Sequence, residues 1–306
     1  MLIYSLRGIF IIDTNNTTMK ILQKTIYYLA LLFLPIQLAA QQNPPQPVTL
    51  NKIADKLYEV KGGSGANDGV FIGDYGVLVI DAKMTKESVD QTIAEIRKLT
   101  DKPIKFLVNT HSDGDHVAGN RYFPESVIIV SQENCRKEFF HSGRNGDPSS
   151  WNDPALAPFI PSVTFSDKMD LYVDPKGVQL WYFGVGHTTG DAVVYFPEYK
   201  VAFIGDQVFV GRPQLIHSYK GGNSFKHVET LEKMLATIDA QKFYSGHSDV
   251  LNREQIQAHI NEMKAMQKKV GDLMKKNYSL ENIKKEFSDD QSTLVETIYN
   301  EIKAVK

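Results

Sequence analysis

The chain has 306 residues, 42% of them hydrophobic, and a formal net charge of −2. That length allows one large domain or two small ones, and the composition supports a packed core rather than a disordered chain. The near-neutral charge gives no electrostatic basis for binding nucleic acid or an anionic membrane, and a single cysteine, Cys135, excludes an internal disulfide and a zinc–thiolate cluster.

In chain order, residues 1–18 are unlike mature protein, and Met19 is the better start. From there Lys20 and Lys24 form a charged segment, 27–38 an apolar run, and Ala39-Ala40 a small-residue exit. This is the pattern of a secretory signal, with cleavage expected near Ala40. The apolar run is shorter than the ~20 residues that cross a bilayer. No basic flank follows it, so a stable anchor is not expected. No cysteine lies near the cut, which excludes a lipoprotein. Residues 41–48 form a Pro/Gln-rich linker. The expected location is periplasmic or secreted.

Residues 57–60, 69–72 and 77–80 read as strands, with Gly62-Gly63-Ser64-Gly65 as a mobile-looking loop between the first two. Residues 88–99 have helical periodicity. Residues 104–108 form a short apolar strand that empties into Asn109-Thr110-His111-Ser112-Asp113-Gly114-Asp115-His116, and a helix is expected from 117 to 122. Residues 131–140 read as a helix carrying Cys135, a buried structural thiol. Residues 141–161 are a long Gly/Pro/Asn/Asp/Ser loop with Trp151 and Phe159. A loop this long is usually functional or disordered, and contact with substrate and cover for the core are equally open. Strands are expected at 171–173, 178–183, 192–196 and 201–204, and helices at 224–238 and 253–274. Segments 279–287 and 291–306 read as a small helical cap.

The chemistry concentrates at strand ends. His111, Asp113, Asp115 and His116 stand at i, i+2, i+4 and i+5. His187 lies in Gly184-Val185-Gly186-His187-Thr188-Thr189-Gly190-Asp191, Asp206 in Phe203-Ile204-Gly205-Asp206, and His247 in Ser245-Gly246-His247. Asp, Ser, Gly and Asn are turn residues anyway, so one such site is unremarkable. Four Gly-flanked strand ends carrying imidazole or carboxylate, the donors that borderline divalent metals prefer, point to a metal centre. No Gly-x-Ser-x-Gly elbow is present, and no Gly-Lys-Ser/Thr follows Gly62–Gly65 to make a phosphate loop. His141, His217, His227 and His259 lack the Gly-flanked setting and are expected to be surface or helix histidines, although His217, in the loop before the helix at 224, could reach substrate.

The succession H-x-D-x-D-H, G-H-T-x-G-D, G-D and G-H resembles the metallo-β-lactamase-fold hydrolases. The resemblance implies an α/β fold of the αββα sandwich type over residues 49–270, with a C-terminal helical extension at 271–306. It implies two divalent metal ions, with zinc the expected element, and His111, Asp113 and His187 at the first position. Asp115, His116 and His247 would take the second, and Asp206 would bridge them. A metal-activated hydroxide would attack an ester, thioester, lactone, lactam or phosphoester bond of a small molecule, with Asp115 orienting it. Asp81 matches a position that supports the metal site. The alternatives from other classes are a di-iron redox enzyme resembling flavodiiron proteins, a β-lactamase proper, and a binding protein with a decayed site. The complete remaining ligand set argues against decay, and the lack of any flavin-domain sequence argues against redox. One position departs from the family: histidine is usual where this chain has Asp113. The extra carboxylate implies a less positive centre and makes iron or manganese more competitive there. One large subgroup of lactam hydrolases has a lysine where this chain has Phe209. The oligomeric state is not legible.

Overall fold

The structure, a computed structural model, describes residues 46–305. The expected signal segment and most of the linker lie outside these residues. The first sheet has seven strands in sequence order: β1 (Thr49–Ala54), β2 (Leu57–Lys61), β3 (Asp68–Ile72), β4 (Val77–Ile80), β5 (Ile104–Asn109), β6 (Ile128–Gln132) and β7 (Val163–Phe165). The first four form an antiparallel meander, and β4 to β7 run parallel. Parallel neighbours need a crossover, and helix α1 (Lys86–Leu99) supplies it between β4 and β5. A one-turn helix α2 (Gly114–Val117) and α3 (Glu133–Glu138) follow β5 and β6.

The second sheet has the order β12-β11-β10-β9-β8, from β8 (Lys168–Leu171), β9 (Val178–Tyr182), β10 (Ala192–Phe196), β11 (Val201–Phe203) and β12 (Lys242–Tyr244). Only β11 and β12 are parallel, joined through α4 (Ser224–Thr237). Helices α5 (Arg253–Lys275), α6 (Leu280–Lys284) and α7 (Ser292–Ala304) complete the chain.

Strand patterning sets the layers. β4 is apolar at every position because both its faces are covered. Leu78 and Ile80 face the second sheet with Val194, Phe196 and Phe203, while Val77 and Val79 pack under Val89 and Ile96 of α1. β10 does the same: Ala192, Val194 and Phe196 point inward, and Val193 and Tyr195 pack against Val228, Leu231 and Met234 of α4. The result is helix, sheet, sheet, helix, the expected αββα sandwich. Truncating an inner residue such as Leu78 to Ala should cost about 2–5 kcal/mol.

Several expectations are corrected. Residues 128–132 form β6 instead of opening a helix at 131. Ile129 and Val130 face opposite apolar layers, so the run is buried on both sides and carries no strand alternation. The edge strand β1, mostly solvent-facing, has no apolar signature either. The helix expected from 117 starts at Gly114 and continues only as 3-10 turns from 118 to 122. Strand β8 ends at Leu171, leaving Tyr172 exposed. The boundary expected at residue 270 falls inside α5. Val270 packs with Leu294, Val295 and Ile298 of α7, so the last helices belong to the same core as Leu231 and Val193.

Candidate metal centre

The site lies where strands of both sheets end. The β5 exit carries 109–113 directly into α2, so Asp113 stands at the helix N-cap and Asp115 and His116 in its single turn. That turn is fixed to the β4 exit: Ala82 N–H donates to His116 O, and Gly119 N–H donates to Lys83 O. The contact is so close that a Cβ on Gly119 would stand 1.8 Å from Ala82 O. The exits of β9, β11 and β12 bring in His187, Asp206 and His247. The Gly62–Gly65 loop is tied down rather than free, with Ser64 N–H donating to Ser88 Oγ and Ala66 N–H to Asp115 O.

All seven residues expected at the site converge. His111, Asp113, His187 and Asp206 each offer an atom within 4.8 Å of one another, and Asp115, His116 and His247 do likewise. Asp206 faces both groups: Oδ1 is 3.2 Å from His116 Nε2, while Oδ2 is 3.4 Å from His247 Nε2 and 3.9 Å from His111 Nε2.

The hydrogen bonds behind the histidines decide which nitrogen faces the centre. His187 Nδ1 lies 2.8 Å from Leu215 O, a carbonyl that can only accept. His116 Nδ1 lies 2.8 Å from Asp81 Oδ2. Thr110 Oγ donates to Asp81 Oδ2 and so accepts from His111 Nδ1. Each Nδ1 therefore carries the hydrogen, and each Nε2 presents a bare lone pair inward. His111 Nε2, His116 Nε2 and Asp206 Oδ1 are buried and have no hydrogen-bond partner. Facing lone pairs of imidazole and carboxylate need a proton or a cation between them. The donor set, nitrogen and carboxylate oxygen without sulfur, suits a divalent metal.

Without a cation, protons take that place. Burial works against a charged His187, but Asp113 overcomes it and raises the pKa to about 9. His247 is raised to about 9 by hydrogen bonds to Asp115 and Asp206. Burial likewise opposes charge on His116, Asp206 and Asp113. The Asp206 and Asp81 carboxylates still push His116 well up, and the histidines hold both Asp206 and Asp113 well down.

Residues 62–247 match the family profile described as the Metallo-beta-lactamase superfamily. The chain belongs to the metallo-beta-lactamase superfamily. Its relatives include the metallo-beta-lactamase type 2 of Bacteroides fragilis, 19% identical over 245 residues, which spans 76% of this chain and 93% of that protein. The crystal structure of DIM-1 metallo-beta-lactamase superposes with a TM-score of 0.58 and 16% identity over 72% of this chain and 99% of its own. The inverting sec-alkylsulfatase Pisa1 from Pseudomonas sp. superposes at 0.67 with 18% identity, over 83% of this chain and 50% of its own. These structural likenesses share the fold. The superfamily's members are mostly metal-dependent hydrolases.

Against the superfamily motif, the departing Asp113 points inward, with Oδ2 3.0 Å from His187 Nε2 and 3.5 Å from His111 Nε2. Of the histidines expected at the surface or on helices, His227 and His259 do lie on helices α4 and α5, whereas His217 is buried in a loop. His217 Nε2 lies 2.8 Å from Asp113 Oδ2, and Lys220 Nζ lies 2.6 Å from Asp113 Oδ1. Lys220 was not foreseen; no Gly-flanked strand end marks it. His227 Nε2 instead meets His259 Nε2 at 3.3 Å, away from the cluster, and His141 is exposed. The 141–161 loop divides. Trp151 and Ile160 pack with Cys135 and Phe139 as core cover, while Arg144 reaches His217 Nδ1 at 3.3 Å.

Proposed function

We propose that the protein is an exported, dinuclear metal-dependent hydrolase acting on a small-molecule ester-type bond. The observation that carries this reading is the set of three histidines whose Nδ1 atoms are committed to acceptors, turning three Nε2 atoms onto the cluster's carboxylates, with those of His111 and His116 buried and without a hydrogen-bond partner. His111, Asp113 and His187 would hold one ion, Asp115, His116 and His247 the other, with Asp206 between them. When bound, such ions supply Lewis-acid polarisation of the scissile group and acidify a water molecule toward a pKa of ~7. The chain's own residues supply the rest. Asp115 is the most open carboxylate of the cluster, its side chain 32% exposed against 12% for Asp113 and 4% for Asp206. It is placed to accept the water's O–H and aim its oxygen. His247, on the exposed side of the cluster, lies 2.8 Å from Asp115 Oδ2. Phe209 packs against the rings of both His187 and His247.

Zinc is the expected ion, with iron or manganese competing at the Asp113 position. Lactam hydrolysis is expected to be weak, because Phe209 is a buried apolar ring and offers no charge to a drug carboxylate. The test is a panel of sulfate ester, phosphodiester, thioester, lactone and chromogenic cephalosporin substrates on metal-replete protein. One non-lactam class should be turned over, and His116→Ala and His187→Ala should each lose the activity while keeping the fold. Purified protein that is active with no metal would overturn the reading. Turnover of the cephalosporin alone, at the ~10⁴–10⁸ M⁻¹s⁻¹ typical of enzymes, would make it a β-lactamase. Export is tested by N-terminal sequencing, expected to begin at Gln41 or Gln42.

A further inference from the structure

Asp113 is gripped from its far side by groups that no metal-site motif marks. Lys220 Nζ donates to Asp113 Oδ1 at 2.6 Å and to Ser112 Oγ at 2.8 Å. Ser112 Oγ–H donates in turn to Glu138 Oε2 at 2.5 Å, and Glu138 also accepts from Thr189 N–H. The Lys220 and Asp113 side chains are 10% and 12% exposed, and that of His217 is 7%.

His217 differs from the three inward-facing histidines. Arg144 approaches its Nδ1 at 3.3 Å. A guanidinium can only donate, so Nδ1 accepts and the hydrogen sits on Nε2. That N–H donates to Asp113 Oδ2 at 2.8 Å, leaving His217 no lone pair for a cation. Each carboxylate oxygen has two lone pairs. Oδ1 is engaged by the Lys220 ammonium. Oδ2 takes the His217 N–H on one lone pair and turns the other into the gap between His111 and His187.

We propose that Lys220 and His217 are positioning residues that hold Asp113 as an oxygen ligand for a divalent cation, with Lys220 cancelling the charge this carboxylate adds. The proposal rests on the reading of the cluster as a metal centre. Asp113, Asp115, Asp206 and Lys220 together carry two negative charges, the same as two aspartates beside a neutral imidazole. The less positive centre expected from Asp113 alone is therefore corrected: the ammonium lies against the extra carboxylate. Partners outside the ligands orient and tune them, and here one of those partners also balances charge.

The experiment is a double-mutant cycle read by metal affinity. Wild type, Asp113→His, Lys220→Met and the double variant are titrated with cobalt(II), following its visible absorption and the ions bound per chain. Asp113→Asn, alone and with Lys220→Met, provides an isosteric second background should the histidine variant fail to fold. Removing the Asp113 charge alone leaves a buried ammonium facing the cation, and should weaken the first ion by about 10- to 100-fold. Adding Lys220→Met should recover about tenfold or more of that loss, a coupling of ~1.4 kcal/mol. Lys220→Arg, which keeps the charge and the donor, should stay near wild type. Two ions bound by wild type with independent, multiplicative effects of the two substitutions would overturn this proposal alone. A wild-type chain that binds no cobalt would overturn the metal-centre reading and this proposal with it.

Discussion

Asp81→Asn isolates how the protein chooses the imidazole nitrogen that faces the centre. Asp81 has φ 61°, a left-handed conformation that Asn tolerates as well as Asp, so the backbone stays and only the side-chain chemistry changes. The carboxylate accepts from Thr110 N–H at 2.8 Å, Thr110 Oγ–H at 2.7 Å and His116 Nδ1–H at 2.8 Å. An amide has one oxygen for these three donors. If its NH₂ faces His116, Nδ1 must become the acceptor, the hydrogen moves to Nε2, and the inward lone pair is lost. If its NH₂ faces Thr110 N–H, two donors meet in a buried site, at about 1–3 kcal/mol. Changing such an outer partner typically costs about 10- to 100-fold in metal affinity, which is ~1.4–2.7 kcal/mol. The assay is competition for zinc against a coloured chelator, with nitrogen-15 correlation spectra reporting which His116 nitrogen is protonated. Unchanged affinity with the Nδ1 hydrogen retained would refute the reasoning.

The metal-free protein should lose thermal stability as pH rises from ~6.5 to about 9. His187, held up by Asp113 against burial, and His247, bonded to Asp115 and Asp206, both have pKa values raised to about 9. A raised imidazole pKa stabilises fully below the unfolded value and is lost as pH climbs through the folded one. Metal binding in that window should release protons, measurable by calorimetry in buffers of different ionisation heat, and a flat melting profile would contradict it. Asp68 is buried with both carboxylate oxygens unpartnered, and burial raises its pKa to about 7. Its stabilising share is complete below ~3.8 and lost as pH rises through about 7, so Asp68→Asn should raise the melting temperature at pH 8 relative to wild type. A lower value would show that Asp68 stays ionised as a counter-charge for Lys83. Gly119→Ala should displace α2, because its Cβ would lie 1.8 Å from Ala82 O. Loss of metal with the overall circular dichroism kept is the expected result, and full metal content would show that the turn yields without moving His116.

The seven converging side chains were legible because they cluster at the ends of short apolar runs, five of them (Asp113, Asp115, His187, Asp206 and His247) directly beside a glycine, where strand exits bring them to one edge of the sandwich. The groups around Asp113 were not. Lys220 lies 107 residues from Asp113 and His217 lies 104 away, on a loop with no periodicity to place it. Its course is set by backbone bonds such as His217 N–H to His187 O and Gly222 N–H to His217 O, which no residue type announces. Strand β6 was misread for the opposite reason. Its apolar run is buried on both faces, and periodicity alone cannot separate such a strand from a helix. Trp151 was ambiguous as a loop aromatic, and became core only through Phe139, 4.9 Å away between ring centres.

The cluster draws His111, Asp113, Asp115 and His116 from the first sheet and His187, Asp206 and His247 from the second. Neither sheet alone can close a coordination shell, so the ion cannot nucleate either half. Tight capture waits until the two halves have docked, late in a folding path dominated by contacts distant in sequence. A cation held by these residues would tie the two sheets together, so parting them would require its release. The holo chain should therefore unfold slowly, at a pace set by escape of the cation as much as by the apolar layer between the sheets.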